Sequence, residues 1–205
     1  MSEQGAGNFE ADAVLDAAAS CYLRLGVAKT RASDIAQTLG ISRATLYRRF
    51  GSHESIFLAV LTRESRAMAA DAEIHLLGID DPLERMLEGM LFSIGEIGRR
   101  PVHAAVFRGD AAAWAATQAI RVEALRRLGE EGIRPLFEAS IEDGSVSGED
   151  MEDLVDWILR VLISYAAVPG PGGRQPAEVR RQLSAWFVPA FEHLFTGARR
   201  GAMRH

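Results

Sequence analysis

Cysteine is nearly absent. Cys21 is the single one in 205 residues, so no internal disulfide can form, and its place on an apolar helical stripe suits a small buried thiol. No apolar run approaches the roughly 18 to 20 residues that cross a bilayer, and the opening MSEQGAGNFEAD has no basic region followed by an apolar block. These absences predict a cytoplasmic protein with no membrane partner. The five histidines, His53, His75, His103, His193 and His205, have no metal-ligand spacing, and HESIF lacks the second histidine of a zinc helix. A G-x-S-x-G elbow and a glycine-rich phosphate loop are also missing. No metal, no cofactor and no enzymatic activity are expected.

What is present is an ordinary globular composition, 48% hydrophobic and 25% charged, enough for a sizeable buried core. The charge is unevenly placed. Lys29, Arg31, Arg43, Arg48 and Arg49 stand against Asp34 alone between residues 29 and 50, so this window carries +4 in a chain of net charge −5, and the rest carries −9. A local basic face on an acidic body is the footprint of a protein that meets phosphates at one end.

Helical periodicity runs through almost the whole chain, which predicts an all-α fold. Val14, Ala17, Ala18, Cys21, Tyr22 and Leu25 recur at three and four from Phe9 to Leu25, and Gly26 suits the C-terminal cap of this first helix. Asp34, Ile35, Ala36 and Leu39 fit a short second helix ended by Gly40, a residue that adopts the left-handed conformation without steric penalty. Ser42 can cap a third helix, on which Leu46 and Phe50 face inward while Arg43, Ala44, Thr45, Tyr47, Arg48 and Arg49 remain largely outside.

Two short helices joined by a tight glycine turn, the second exposing Thr, Tyr and Arg, describe a helix-turn-helix whose second helix enters the major groove. Thr45 offers a hydroxyl and a methyl to base edges, and Arg43 can donate twice to guanine. Tyr47 and Arg48 are better placed for phosphates, which set register without reading sequence. The run DIAQTLGISRATLYRRFGSHESIF, residues 34 to 57, resembles the DNA-binding signature of the TetR family of transcriptional regulators. The resemblance covers roughly residues 9 to 61. It implies a homodimer on a palindromic double-stranded operator, a larger helical domain that dimerises and often takes a small effector, the alternative being a DNA-binding regulator without a small-molecule ligand, with Thr45 on bases, Tyr47 on a phosphate, and Leu46 and Phe50 in the core. His53 replaces the lysine usual after the serine, so a phosphate contact there would depend on pH. Ala44 replaces a common glycine, and Arg31 stands near a position that Thr or Ser often fills as a cap. The candidate DNA-facing set is Arg31, Ser42, Arg43, Ala44, Thr45, Tyr47, Arg48, Arg49 and His53.

A DNA-binding domain over residues 1–51 and an effector-binding and dimerisation domain over 52–205 are therefore expected. Ser52 caps a long helix reaching about Leu77 before Gly78. Pro82 and Pro101 open two more, at the first position where a missing amide does no harm. A long helix is predicted from Ala112 to Ile141 with a bend at Pro135. Met86, Met90, His103, Phe107, Arg108, Trp114 and Arg121 are the candidate pocket residues, since effector sites are mostly apolar with a few orienting polar groups. The last two helices, from about Glu149 to Val168 and from Pro176 to about Gly197, are separated by PGPGGRQ. Trp157, Val161, Tyr165, Leu183, Trp186, Phe187, Phe191 and Leu194 on them are the candidate dimer interface: so much apolar surface is covered either within the same subunit or, as the resemblance implies, in a paired two-fold four-helix arrangement.

Overall fold

The computed structural model describes residues 3–109, 111–168 and 175–191, with side chains from residue 11. The expected interface residue Leu194, the basic tail and most of the PGPGGRQ segment lie outside the described residues. Helix follows helix, and no strand occurs among the described residues. The order is α1 (Glu3–Leu25), α2 (Ala32–Leu39), α3 (Arg43–Phe50), α4 (His53–His75), α5 (Pro82–Arg99), α6 (Pro101–Arg108), α7 (Ala112–Arg121), α8 (Glu123–Ile133), a 3-10 turn (Arg134–Phe137), α9 (Glu138–Glu142), α10 (Gly148–Ala167) and α11 (Pro176–Trp186).

The starts and stops have local causes. The Asp34 carboxylate accepts the Arg31 backbone N–H at 2.7 Å and secures the start of α2. Ser42 Oγ accepts the Thr45 amide at 3.1 Å, and Ser52 Oγ the Ser55 amide at 3.0 Å, so each short polar side chain covers an amide that its helix leaves free. At α5 the Asp81 carboxylate takes the Leu83 and Glu84 amides ahead of Pro82. Gly40 ends α2 at φ 67°, ψ 26°, and the following Ile41 amide returns to the Ala36 carbonyl at 3.0 Å. A Cβ at Gly40 would meet no atom within 4 Å, so the demand for glycine is purely one of backbone angle. Gly40→Ala is accordingly expected to lower stability by about 1 kcal/mol, read as a urea midpoint shift, with Gly40→Asn losing less. An unchanged midpoint in the alanine variant would mean that the turn relaxes out of the left-handed region.

Two places break where the sequence reading had continuous helix. Val122 is extended, φ −78° and ψ 107°, and separates α7 from α8, so the helix expected over residues 112–141 is divided well before Pro135. The division lets α7 pack on α6 and α10 while α8 packs on α4 and α10. The other break lies in the helix expected to run from Pro176 to Gly197: α11 stops at Trp186, with a turn at Phe187. Pro189 is the reason, because its ring carries no N–H for the Ala185 carbonyl and crowds that turn.

The buried side chains form two clusters. The first joins α1, α2 and α3, through Ala18, Ile35 and Leu46, to Ile56, Phe57, Val60 and Leu61 of α4, and continues without interruption into Val106, Phe107 and Ala115 of α6 and α7. The second lies at the far end, where Met86, Leu87 and Met90 of α5 meet Phe137, Met151, Leu154, Leu183 and Phe187. Ion pairs tie the layers: Arg63 of α4 to Asp16 of α1 at 2.8 Å, and Arg126 of α8 to Asp156 of α10 at 3.1 Å.

Candidate nucleic-acid interface and ligand cavity

The α3 surface is built on a single buried anchor, Leu46, which turns Arg43, Ala44, Arg48 and Arg49 outward. Ser42 and Thr45 form one polar corner at its start, their hydroxyl oxygens 3.0 Å apart. Ser42 is committed to the cap, whereas the Thr45 methyl is left to offer an apolar contact to a base. The Arg43 guanidinium carbon lies 5.9 Å from the centre of the Tyr47 ring, at the outer edge of cation–π reach. That contact holds the two polar ends side by side on one face. Arg31 is exposed at the start of α2. The geometry therefore brings together Arg31, Ser42, Arg43, Ala44, Thr45, Tyr47, Arg48 and Arg49 around one helix-turn-helix.

His53 departs from this arrangement. Its ring sits edge-on to Tyr22, 6.3 Å between centres at 88°, and its Nε2 is buried with no partner among the described residues. Burial holds its pKa below the ordinary value, favouring the neutral ring. A pH-dependent phosphate contact, expected from the sequence, does not suit a side chain turned inward in this way. Its packing joins α4 to α1 instead.

Behind the reading head, α4, α5, α6, α8 and α10 enclose an open cavity of about 500 Å³. Met86, Met90, His103 and Phe107 meet in its lining, as the sequence reading grouped them. Arg108, Trp114 and Arg121, expected in this pocket from the sequence, are absent from that lining and are placed elsewhere. The Arg108 guanidinium reaches the Gly98 carbonyl at 3.4 Å. Trp114 packs on Phe57 with ring centres 4.7 Å apart, and Gln118 lies between it and Glu54 of α4, where its amide, turned so that nitrogen faces the carboxylate, donates to Glu54 at 2.9 Å and accepts from the indole N–H at 3.3 Å. Arg121 is exposed at the end of α7, beside the Val122 break. Ser65 and Ser93 line the cavity and escaped the sequence reading, because periodicity reports which face is buried and not whether that face meets a neighbour or a void.

His103 is the most buried polar group in the cavity wall, 1% exposed. Its Nε2 lies 3.2 Å from Ser65 Oγ, and its Nδ1 has no partner among the described residues. Burial pushes its pKa down to about 4, with Arg100 adding to the effect and Glu64 opposing it. At neutral pH the imidazole is uncharged.

The candidate interface residues fall into two groups. Trp186 is 81% exposed and Trp157 40%, whereas Leu183 and Phe187 lie inside the subunit's own core against α5 and α10 and present no surface to a partner. Phe191 covers this core from outside, 4.6 Å from Phe187 and 5.5 Å from Trp157 between ring centres. Tyr165 donates to the Gln182 side chain at 3.0 Å, joining α10 to α11, and Val161 is half-buried beside it.

A three-helix unit with a capped, basic second reading helix, set on a larger helical body, defines a helix-turn-helix DNA-binding protein. The family profile of bacterial regulatory proteins of the tetR family matches residues 14–60. An HTH-type transcriptional regulator of Mycobacterium bovis, Mb2274c, is 30% identical over 159 residues, 74% of this chain and 77% of that protein. Another from Mycobacterium tuberculosis, Rv1255c, is 27% identical over 190 residues, 93% and 89% of the two chains. Among solved structures, the TetR-family regulator PfmR of Thermus thermophilus is similar with a TM-score of 0.51 at 23% identity, covering 86% of this chain and 97% of that one. A TetR-family regulator of Pectobacterium atrosepticum gives 0.54 at 20% identity, covering 97% of both. The chain belongs to the TetR family and is a DNA-binding transcriptional regulator. No helix among the described residues is long and apolar enough to cross a membrane.

Proposed function

We propose that the protein is a ligand-responsive repressor that acts in the cytoplasm as a homodimer on a palindromic operator. One observation carries this reading: α4 supports the reading head at one end, through Ile56, Phe57, Val60 and Leu61, and lines the cavity farther along, through Leu61, Ser65, Met68 and Ala72. The DNA-binding unit is assigned to residues 1–51, seated on the first turns of α4, and the effector and dimerisation unit to 52–205. A ligand that displaces α4 moves the unit seated on it. Helix-turn-helix dimers need their reading heads about 34 to 36 Å apart or a multiple of that, so a shift of a few ångströms ends simultaneous engagement. Exposed Trp186 and Trp157 on α10 and α11 support a partner subunit at that face. Relatives that are transcriptional regulators favour this role over catalysis.

The test is fluorescence anisotropy of the purified protein on labelled fragments from around its own gene, against scrambled DNA at several salt concentrations. Saturable, salt-sensitive binding to one palindrome is expected; equal weak binding to every fragment would overturn the reading. On that operator, Thr45→Val is expected to reorder the affinities of base-pair variants, while Tyr47→Phe weakens all of them alike. An unchanged ranking with Thr45→Val would remove Thr45 from the base-reading set.

A further inference from the structure

The cavity wall is chemically one-sided. Its interior surface comes from Leu61, Met68, Met90, Leu125, Ile158 and Leu162 with their apolar neighbours, and its polar lining residues are Ser65, Glu73, Arg85, Ser93, His103 and Glu131. Glu73 and Glu131 are exposed, which places them toward the opening. Arg85 is the one cation among the lining residues, is outnumbered by the two glutamates, and already donates to the Leu76 carbonyl. Farther in, Ser65 and His103 hydrogen-bond to each other, and the buried imidazole is neutral.

At the inner end of this space, beside Ser65 and His103, an ionised carboxylate, sulfonate or phosphate would lose its hydration with no cation among the lining residues beside it, since Arg85 is tied to Leu76 next to the exposed Leu77 at the outer end, a loss that apolar contact does not recover. A hydroxyl or carbonyl suffers far less and finds hydroxyl groups at Ser65 and Ser93. The opening supports the same reading. Leu77 lines the cavity and is 74% exposed, and Ile74 near it on α4 is 68% exposed. Large apolar side chains left in water at a cavity mouth mark an entry surface for an apolar molecule.

We infer that this cavity takes an uncharged, predominantly apolar ligand carrying a hydroxyl or carbonyl group toward Ser65 and Ser93, and that it discriminates against anions of the same skeleton. The inference rests on the reading of the cavity as the effector site. The volume of about 500 Å³ lies within the span of sites for drug-sized molecules.

The experiment compares two fluorescent probes on the full-length protein: N-phenylnaphthylamine, which is neutral, and its sulfonated analogue, anilinonaphthalene sulfonate. They share one aromatic skeleton and differ by a single anionic group. Each is titrated into the wild type and into two cavity-filling variants, Met90→Trp and Ala69→Phe, whose folding is checked by circular dichroism so that one misfolded variant does not decide the result. The neutral probe is expected to saturate at one per chain, to bind at least about tenfold more tightly than the sulfonate, and to lose its affinity in a folded filling variant. Equal or tighter binding of the sulfonate, lost in the same variant, would overturn the preference for neutral ligands while leaving the cavity as a ligand site. If neither probe binds, or the filling variants bind as the wild type does, the cavity is not a ligand site and the inference fails with it.

Discussion

Replacing Leu46 by alanine is expected to lower stability by about 3 kcal/mol and to abolish operator binding well below the unfolding midpoint. Leu46 is the one fully buried side chain of α3, and the helix has eight residues, three of them arginine. A helix that short does not persist in water on its own propensity, so its shape depends on the contact Leu46 makes with the core. Truncation removes that apolar burial and leaves a void at the centre of the reading head, with no other α3 side chain fully buried to compensate. Urea unfolding and anisotropy on the operator measure both effects. A loss under about 1 kcal/mol would show that Tyr47 and Phe50, half-buried around it, hold α3 without it.

Acidification should act through His103. Burial holds its folded pKa near 4, while an imidazole in the unfolded chain titrates near 6.5. Above about pH 6.5 both states are neutral and stability is full. As the pH falls below that value the unfolded state takes up a proton that the folded state refuses, so stability declines until the folded ring itself titrates near 4. The loss by pH 4.5 is on the order of 2 to 3 kcal/mol. Arg100 strengthens the effect and Glu64 weakens it. His53, also depressed by burial, adds to it in the same direction. The carboxylates held low by hydrogen bonds, Asp156 to Arg160 and Asp150 to Ser147, come into play only at lower pH, through the loss of their ionised form. Unfolding free energies at pH 7.5 and 4.5 for the wild type and His103→Gln separate the contributions, and the variant is expected to lose less by roughly that amount. Equal losses in the two proteins would show that the imidazole is not the cause.

The reading head was legible in the sequence because everything that shapes it is local. Ser42 caps, Gly40 turns, and Leu46 anchors within a dozen residues, and the basic side chains fall on the opposite face by spacing alone. His53 was not legible. Its exposure depends on Tyr22, thirty-one positions away, and a histidine at a helix start carries no sign of which neighbour it will pack against. The cavity was half-visible: Met86, Met90, His103 and Phe107 stood out by residue type, but serines at helix-facing positions look the same whether they line a space or a seam. Trp114 misled for the same reason, since a large aromatic on an apolar stripe fits a ligand wall and a helix contact equally well. The break after Trp186 went unread although Pro189 carries the sign of it, whereas nothing around Val122 in the sequence marks the division of α7 from α8.

The double duty of α4 limits how such a protein can change over time. Residues on this helix that face the cavity sit in line with those that seat the reading head, so under the proposed function a substitution that reshapes the cavity from α4 also disturbs how DNA is held. Walls contributed by α5, α8 and α10 share the core but pack on the body and not chiefly on α1, α2 or α3, so under the proposed function they have more freedom to be rewritten for a new chemical signal while the same operator is kept.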